Sequence, residues 1–227
     1  GSCVACTFTK ILEVINYVKT GVYVELSKGY MYGRNNYEGK RNKGMSEEYT
    51  LNILLQRGTV PASMCKDYAE FPEITKLLEQ REDINYLDKI AKEYRLKSWT
   101  DISGNNYEDR FNNIKTYLQN YQIPLAGVIA KYRGEKHSVV IVGYDDDSIL
   151  FHNHTGEDTI EKVRYDRFSK AYYLDGGIEM SKMNFTDVNE YDWYYKYIEK
   201  VYNEGLMKGI SDNKFAPNKA LTRAEIA

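Results

Sequence analysis

Gly1-Ser2-Cys3-Val4-Ala5-Cys6-Thr7-Phe8-Thr9-Lys10-Ile11-Leu12-Glu13-Val14-Ile15-Asn16-Tyr17-Val18-Lys19-Thr20-Gly21 is the stretch on which the fold turns. Ile11, Leu12, Ile15 and Val18 recur at the three- and four-residue spacing of one helix face. Ser2 stands where an N-cap belongs, and Gly21 follows Thr20 where the chain can turn left-handed and stop. The spacing therefore predicts a buried helix over 3–19 with a thiol, Cys3, at its start. A helix N-terminus favours the thiolate over the thiol, and a neighbouring imidazolium is the second common device that does so.

Working outward, Met45 to Arg57 places Leu51, Leu54 and Leu55 at helical intervals and is closed by Gly58, with Thr59-Val60-Pro61 leaving extended. Ile84 to Arg95 and Tyr107 to Asn120 carry weaker helical patterns. From Leu125 the rhythm changes to short β-rich runs: Gly127–Ala130, Ser138–Gly143 and, after the Asp145-Asp146-Asp147 turn, Ser148–Asn153. Helices first and strands second indicate an α+β domain. Around Asp175-Gly176-Gly177 the pattern breaks, and a new amphipathic unit begins at Phe185, so the expected division is 1–180 and 181–227.

An imidazole partner for Cys3 must come from three histidines. His137 opens an apolar strand, while His152 and His154 flank Asn153. A base of this kind needs a third group to hold its ring, and an asparagine carbonyl can serve. Gly1-Ser2-Cys3-Val4-Ala5 resembles the nucleophile segment Gly-Ser-Cys-Trp-Ala of papain-type (C1) cysteine peptidases. Glu13, Thr20-Gly21 and Val24-Glu25-Leu26-Ser27 stand where that family carries similar residues. His137-Ser138-Val139-Val140-Ile141-Val142-Gly143-Tyr144 is similar to its His-Ala-Val-x-x-Val-Gly-Tyr, and Asn153-His154-Thr155-Gly156 to its Asn-Ser-Trp-Gly. Family separations of roughly 130 to 150 residues are met by Cys3, His137 and Asn153.

The resemblance covers about residues 1 to 178 and implies a papain-like α+β fold. It further implies that Cys3 is the nucleophile, His137 the acid and base, and Asn153 the group that orients the ring; Gly44 matches a glycine whose backbone pairs with substrate. Cys3-Val4-Ala5-Cys6-Thr7 also fits the Cys-x-[Ser/Ala]-Cys part of the signature, which would make Cys6 the nucleophile. The Cys3 register is preferred because it aligns Glu13 and Thr20-Gly21 without a gap. Two departures stand out. The family's oxyanion-hole glutamine falls six residues before the nucleophile, off the start of this sequence, and Thr155 replaces the tryptophan that shields the His and Asn contact. Losing one oxyanion donor costs on the order of 100- to 1000-fold in rate.

Beyond Phe185, the residues Phe185-Thr186-Asp187-Val188, Trp193-Tyr194, Ile198, Val201, Gly205-Leu206-Met207, Gly209, Asp212, Phe215, Pro217-Asn218 and Leu221-Thr222-Arg223-Ala224-Glu225 resemble an S-layer homology module, cut short. Physically this reads as an amphipathic helix over 193–203, a compact loop over 209–217 and a second helix capped by Thr222 with Glu225 three residues on. The resemblance implies binding to secondary cell-wall polysaccharide, with Trp193 and Arg223 as contacts and a guanidinium suited to an anionic sugar carboxylate. It also implies a secreted protein on the cell wall or S-layer of a Gram-positive-type bacterium. Both ends of the sequence read as cut from something longer.

Composition bounds the alternatives. The net charge is -2 with acidic and basic residues interleaved, which gives no footprint for nucleic acid. No run reaches the 18 or so apolar residues that a membrane span requires. Asp145-Asp146-Asp147 lacks the spaced ligands of a calcium loop, and the chemistry calls for neither metal nor cofactor. Protein or peptide substrates are expected. Other readings keep the Cys-His-Asn group for a cell-wall amide or a transamidation, or make the domain a non-catalytic wall-bound adhesin.

Overall fold

The computed structural model describes residues 2–35, 44–66, 71–153, 159–176, 183, 185–189, 191–203, 206–211 and 213–220. The chain divides into two compact units, Gly1–Ile178 and Glu179–Ala227.

In the first unit, helix α1 (Cys3–Thr20) presents Val4, Phe8, Ile11, Leu12 and Ile15 to a buried core. Its end is set by Gly21, which adopts φ 70° and donates its N–H to the Tyr17 carbonyl. Ser2 precedes the helix without a side-chain cap, unlike the expectation, because its backbone lies away from the extended region an N-cap uses. Helix α2 (Lys28–Asn35) is started by Ser27, whose hydroxyl accepts from Tyr30 N–H.

Helix α3 (Glu47–Leu54) is shorter than the apolar spacing predicts. Ser46, in extended backbone, accepts from Tyr49 N–H and starts it. Beyond its end Gly58 lies against the Tyr94 and Ala91 carbonyls. Helices α4 (Phe71–Glu79), α5 (Ile84–Ala91, prolonged by a 3-10 turn, Lys92–Tyr94) and α6 (Tyr107–Tyr121) complete the set. Asn106 caps α6 by accepting from Asp109 N–H.

Among the described residues six antiparallel strands form one sheet: β1 (Leu96–Asp101), β2 (Leu125–Tyr132), β3 (Glu135–Tyr144), β4 (Ser148–Asn153), β5 (Thr159–Arg164) and β6 (Phe168–Gly176), in the order β1-β6-β2-β3-β4-β5. Asp175 and Gly176 do not break the pattern as expected. They extend β6, where Gly176 pairs with Leu96 so closely that a Cβ would lie 2.6 Å from the Leu96 Cα.

The two-residue period of the strands divides the sheet's faces. Val128, Val140, Tyr172 and Leu174 join the core built by α1, α2 and α3. Leu125, Ile129, Val139, Ile141, Phe151 and Phe168 join Phe111 and Ile114 of α6 on a second core. Each such side chain contributes about 1.5–3 kcal/mol on burial. Helix α1 packs on β3, β2 and β6, and α6 packs on β6 and β3.

The Glu13 carboxylate, fully buried on α1, accepts from Leu26 N–H at 2.9 Å and Tyr23 O–H at 3.1 Å and pairs with Lys10 at 2.8 Å. It fixes the segment that leads into α2.

The second unit gathers Phe185 against Tyr202 and Phe215 in edge-to-face contacts. Its helix α7 (Tyr195–Asn203) starts later than the expected Trp193. Asp187 accepts from the Phe215 and Ala216 amides at 2.9 and 2.8 Å and so folds the following loop onto itself. The expected capped helix from Thr222 lies outside the described residues. No helix among the described residues is long and apolar enough to cross a membrane.

Candidate active site

Cys3 is the first residue of α1 and half-buried, on a helix that rests on β3, the strand carrying His137. Cys6 lies one turn further in, on the buried part of the helix. All three cysteines are thiols. The N-terminal position directs the helix's unpaired N–H groups and positive dipole end toward Cys3, not Cys6.

His137 is 8% exposed on β3 and opposite Ile129 on β2. Asn153, 1% exposed, ends β4. Their side chains meet, with His137 Nε2 3.4 Å from Asn153 Oδ1. At this length the hydrogen bond is long. With Asn153 oriented so, Nε2 carries the proton, an assignment that follows from the hydrogen-bond partners.

Two residues that the sequence analysis did not single out complete this group. Tyr132, at the end of β2, stacks its ring on the His137 imidazole with centroids 4.9 Å apart and planes 20° apart. Glu161, on β5, accepts from Asn153 Nδ2 at 2.7 Å, while Tyr132 Oη accepts from the same nitrogen at 2.8 Å. The Tyr132 hydroxyl donates to the Glu161 carboxylate at 3.0 Å. Glu161 reaches Asn153 because Asn153 pairs with Thr159, which makes Glu161 its diagonal neighbour on the same face. No motif signals Glu161 in the sequence, because the contact depends on strand register.

Burial holds the His137 pKa below the ordinary histidine value, against the opposing pull of the Asn153 hydrogen bond and the Glu161 charge. The Glu161 carboxyl is held below its ordinary value, first by the Asn153 hydrogen bond and then by Tyr132, with Arg133 and His137 adding to the effect. Beside His137, Lys136 pairs with Glu47 at 3.1 Å and ties α3 to β3.

Gly44 is exposed just before α3, and among the described residues nothing lies within 4 Å of where a Cβ would stand. His154, Thr155 and Gly156 lie outside the described residues, as does Arg223. Trp193, in the second unit, is 82% exposed and meets Tyr194 and Tyr197 edge-on. Among the described residues no group of three or more His, Cys, Asp or Glu could hold a metal ion.

Comparison with known proteins bears on the fold. Xylellain, a cysteine protease from Xylella fastidiosa, matches with a TM-score of 0.61 at 14% identity, over 78% of this chain and 80% of that one. The cysteine protease CMS1MS2 of Carica candamarcensis, in complex with E-64, matches at 0.55 and 17%, over 78% and 89%. The bromelain protease of Ananas comosus, in complex with the same inhibitor, matches at 0.55 and 14%, over 77% and 89%. The first unit thus has the α+β fold of the papain-like cysteine proteases.

Residues 184–227 match the S-layer homology domain. Over 45 residues the chain is 47% identical to the surface-layer 125 kDa protein of Lysinibacillus sphaericus, covering 20% of this chain and 4% of that relative's length. A papain-like fold and an S-layer homology domain are therefore joined in one chain.

Proposed function

We propose that this is a cell-surface cysteine endopeptidase held at the cell wall by its S-layer homology domain. The observation that carries the reading is the buried His137–Asn153 contact on a papain-like fold whose first helix opens with Cys3. Cys3 attacks a peptide carbonyl as the thiolate, with its backbone N–H a donor to the oxyanion. The His137 imidazolium gives its proton to the leaving amine, the C–N bond breaks, and the acyl group stays on sulfur. Water then attacks the acyl-enzyme, His137 takes the water's proton, and the thioester opens to return Cys3. Asn153 holds the ring throughout, and the backbone at exposed Gly44 pairs with substrate.

In the second unit, exposed Trp193 offers a stacking face for sugar, with Arg223 as the partner for an anionic sugar carboxylate. Such an address implies life outside a Gram-positive-type cell.

The test is labelling of the full chain, Cys3→Ala and Cys6→Ala with E-64 and with iodoacetamide at neutral pH, mapped by mass spectrometry. Rapid modification lost only in Cys3→Ala is expected. Loss only in Cys6→Ala moves the nucleophile, and modification of neither thiol above the rate of a free cysteine contradicts the peptidase. Peptide pools against peptidoglycan fragments then separate a peptidase from an amidase acting on wall amides.

A further inference from the structure

Asn153 has two chemically opposite ends, and which one faces His137 decides whether it can hold the ring. Its carbonyl can accept from the imidazole N–H, whereas its NH2 group would place donor against donor once His137 is protonated. Within the amide itself nothing prefers one orientation. The preference comes from the far side. The Glu161 carboxylate is an acceptor at both oxygens, and its Oε1 lies 2.7 Å from Asn153 Nδ2. The Tyr132 oxygen lies 2.8 Å from the same nitrogen, and its own hydrogen is directed to Glu161, at 3.0 Å. Both amide hydrogens are thus occupied, and Oδ1 is left toward His137, 3.4 Å away. Tyr132 has a second role, because the ring whose hydroxyl meets Asn153 stacks on the imidazole at 4.9 Å and covers one of its faces.

We propose that Glu161 and Tyr132 are positioning residues of the site: together they lock the Asn153 amide with its carbonyl toward His137, and the Tyr132 ring shields the imidazole. The inference rests on the reading of Cys3, His137 and Asn153 as the catalytic group. A flipped amide costs the Glu161 and Tyr132 bonds together, and a carboxylate acceptor makes a bond about twice as strong as a neutral one. The Glu161 charge also favours the imidazolium that the proposed chemistry needs. Other charged groups beside His137 are Arg133 in the β2–β3 turn, which opposes that charge, and the Lys136–Glu47 pair next to it on β3. Tyr132 also receives the Arg133 guanidinium over its ring at 5.2 Å, so the aromatic face takes up part of the opposing charge.

The experiment follows the His137 imidazole by NMR titration in the full chain, with its resonance assigned by His137→Gln. It compares wild type, Glu161→Gln, Tyr132→Phe and Tyr132→Leu. The rate of Cys3 alkylation by iodoacetamide is measured on the same samples. In Glu161→Gln the midpoint of His137 is expected to move to lower pH. The onset of rapid Cys3 alkylation moves to higher pH, with a loss of about tenfold in its rate near pH 6. Tyr132→Phe, which keeps the ring and loses the hydroxyl, falls between wild type and Tyr132→Leu.

A purely structural role would lower the melting temperature, and loss of the Glu161 charge alone would move the His137 midpoint in Glu161→Gln but leave it in place in Tyr132→Phe. A folded Glu161→Gln with the wild-type midpoint overturns the proposal. If that variant does not fold, an unchanged midpoint in both Tyr132 variants overturns it equally. Wild-type Cys3 alkylating no faster than a free thiol would defeat the catalytic reading instead, and the His137 midpoints would still decide the positioning claim.

Discussion

Replacing Glu13 with alanine removes a fully buried carboxylate that three donors share. The Leu26 N–H, 2.9 Å away, is itself buried and would lose its acceptor, which costs about 1–3 kcal/mol. The Lys10 pair is partly solvated, with the lysine side chain 31% exposed, so its loss adds about 0.5–1 kcal/mol. Glu13→Ala should therefore destabilise the first unit by about 2–3 kcal/mol. Glu13→Gln, which keeps an oxygen for Leu26, should cost about 1 kcal/mol. The chain's two tryptophans allow a clean assay: in a Trp193→Phe background, Trp99 of β1 alone reports the first unit's unfolding in urea. The midpoint should fall with the slope unchanged. A shift under about 0.5 kcal/mol, or an equal loss in both variants, would refute the argument that the Leu26 bond carries the effect.

Other outcomes follow from single contacts. A Cβ on Gly58 would lie 2.0 Å from the Tyr94 carbonyl oxygen, so Gly58→Ala must displace backbone and should cost about 2–3 kcal/mol in the same urea assay. Burial raises the Asp88 pKa, but hydrogen bonds from Arg34 and Tyr30 outweigh it and hold the carboxyl below its ordinary value. Its stabilisation is present above the unfolded pKa and lost as pH falls through the folded one. Asp88→Asn should thus cost about 1 kcal/mol at neutral pH, allowing for solvent screening, and the difference from wild type should vanish in acid. In the second unit, Asp187→Ala should speed hydrogen exchange at the Phe215 and Ala216 amides, which its carboxylate holds.

Segments with strong periodicity were legible in the sequence. Helix α1, its Gly21 stop and strand β4 fall close to where the spacing of apolar residues and turn residues places them. The edge strands β1 and β5 were not, because Leu96-Lys97-Ser98-Trp99-Thr100-Asp101 and Thr159-Ile160-Glu161-Lys162-Val163-Arg164 are mostly polar. A strand paired on one side only buries little, so its pattern is faint. β6 sends Tyr172 and Leu174 to one core and, across a register shift near its start, Phe168 to the other, but the glycine at 176 reads as a break until Leu96 is seen opposite it. The contact between His137 and Asn153 could be expected from motif spacing; Glu161 and Tyr132 could not, since only the register of β4 on β5 and the end of β2 bring them to Asn153.

In the proposed mechanism Cys3 and His137 act as a thiolate and imidazolium pair. Burial holds a neutral His137 in favour, so a charged imidazole there needs a counter-charge, and the Cys3 thiolate would supply it. The most direct measurement is the NMR titration of His137 in wild type and in Cys3→Ala. Cys3→Ala should titrate below the ordinary histidine value, while the wild type keeps its imidazolium to clearly higher pH. The same midpoint in both proteins would contradict it.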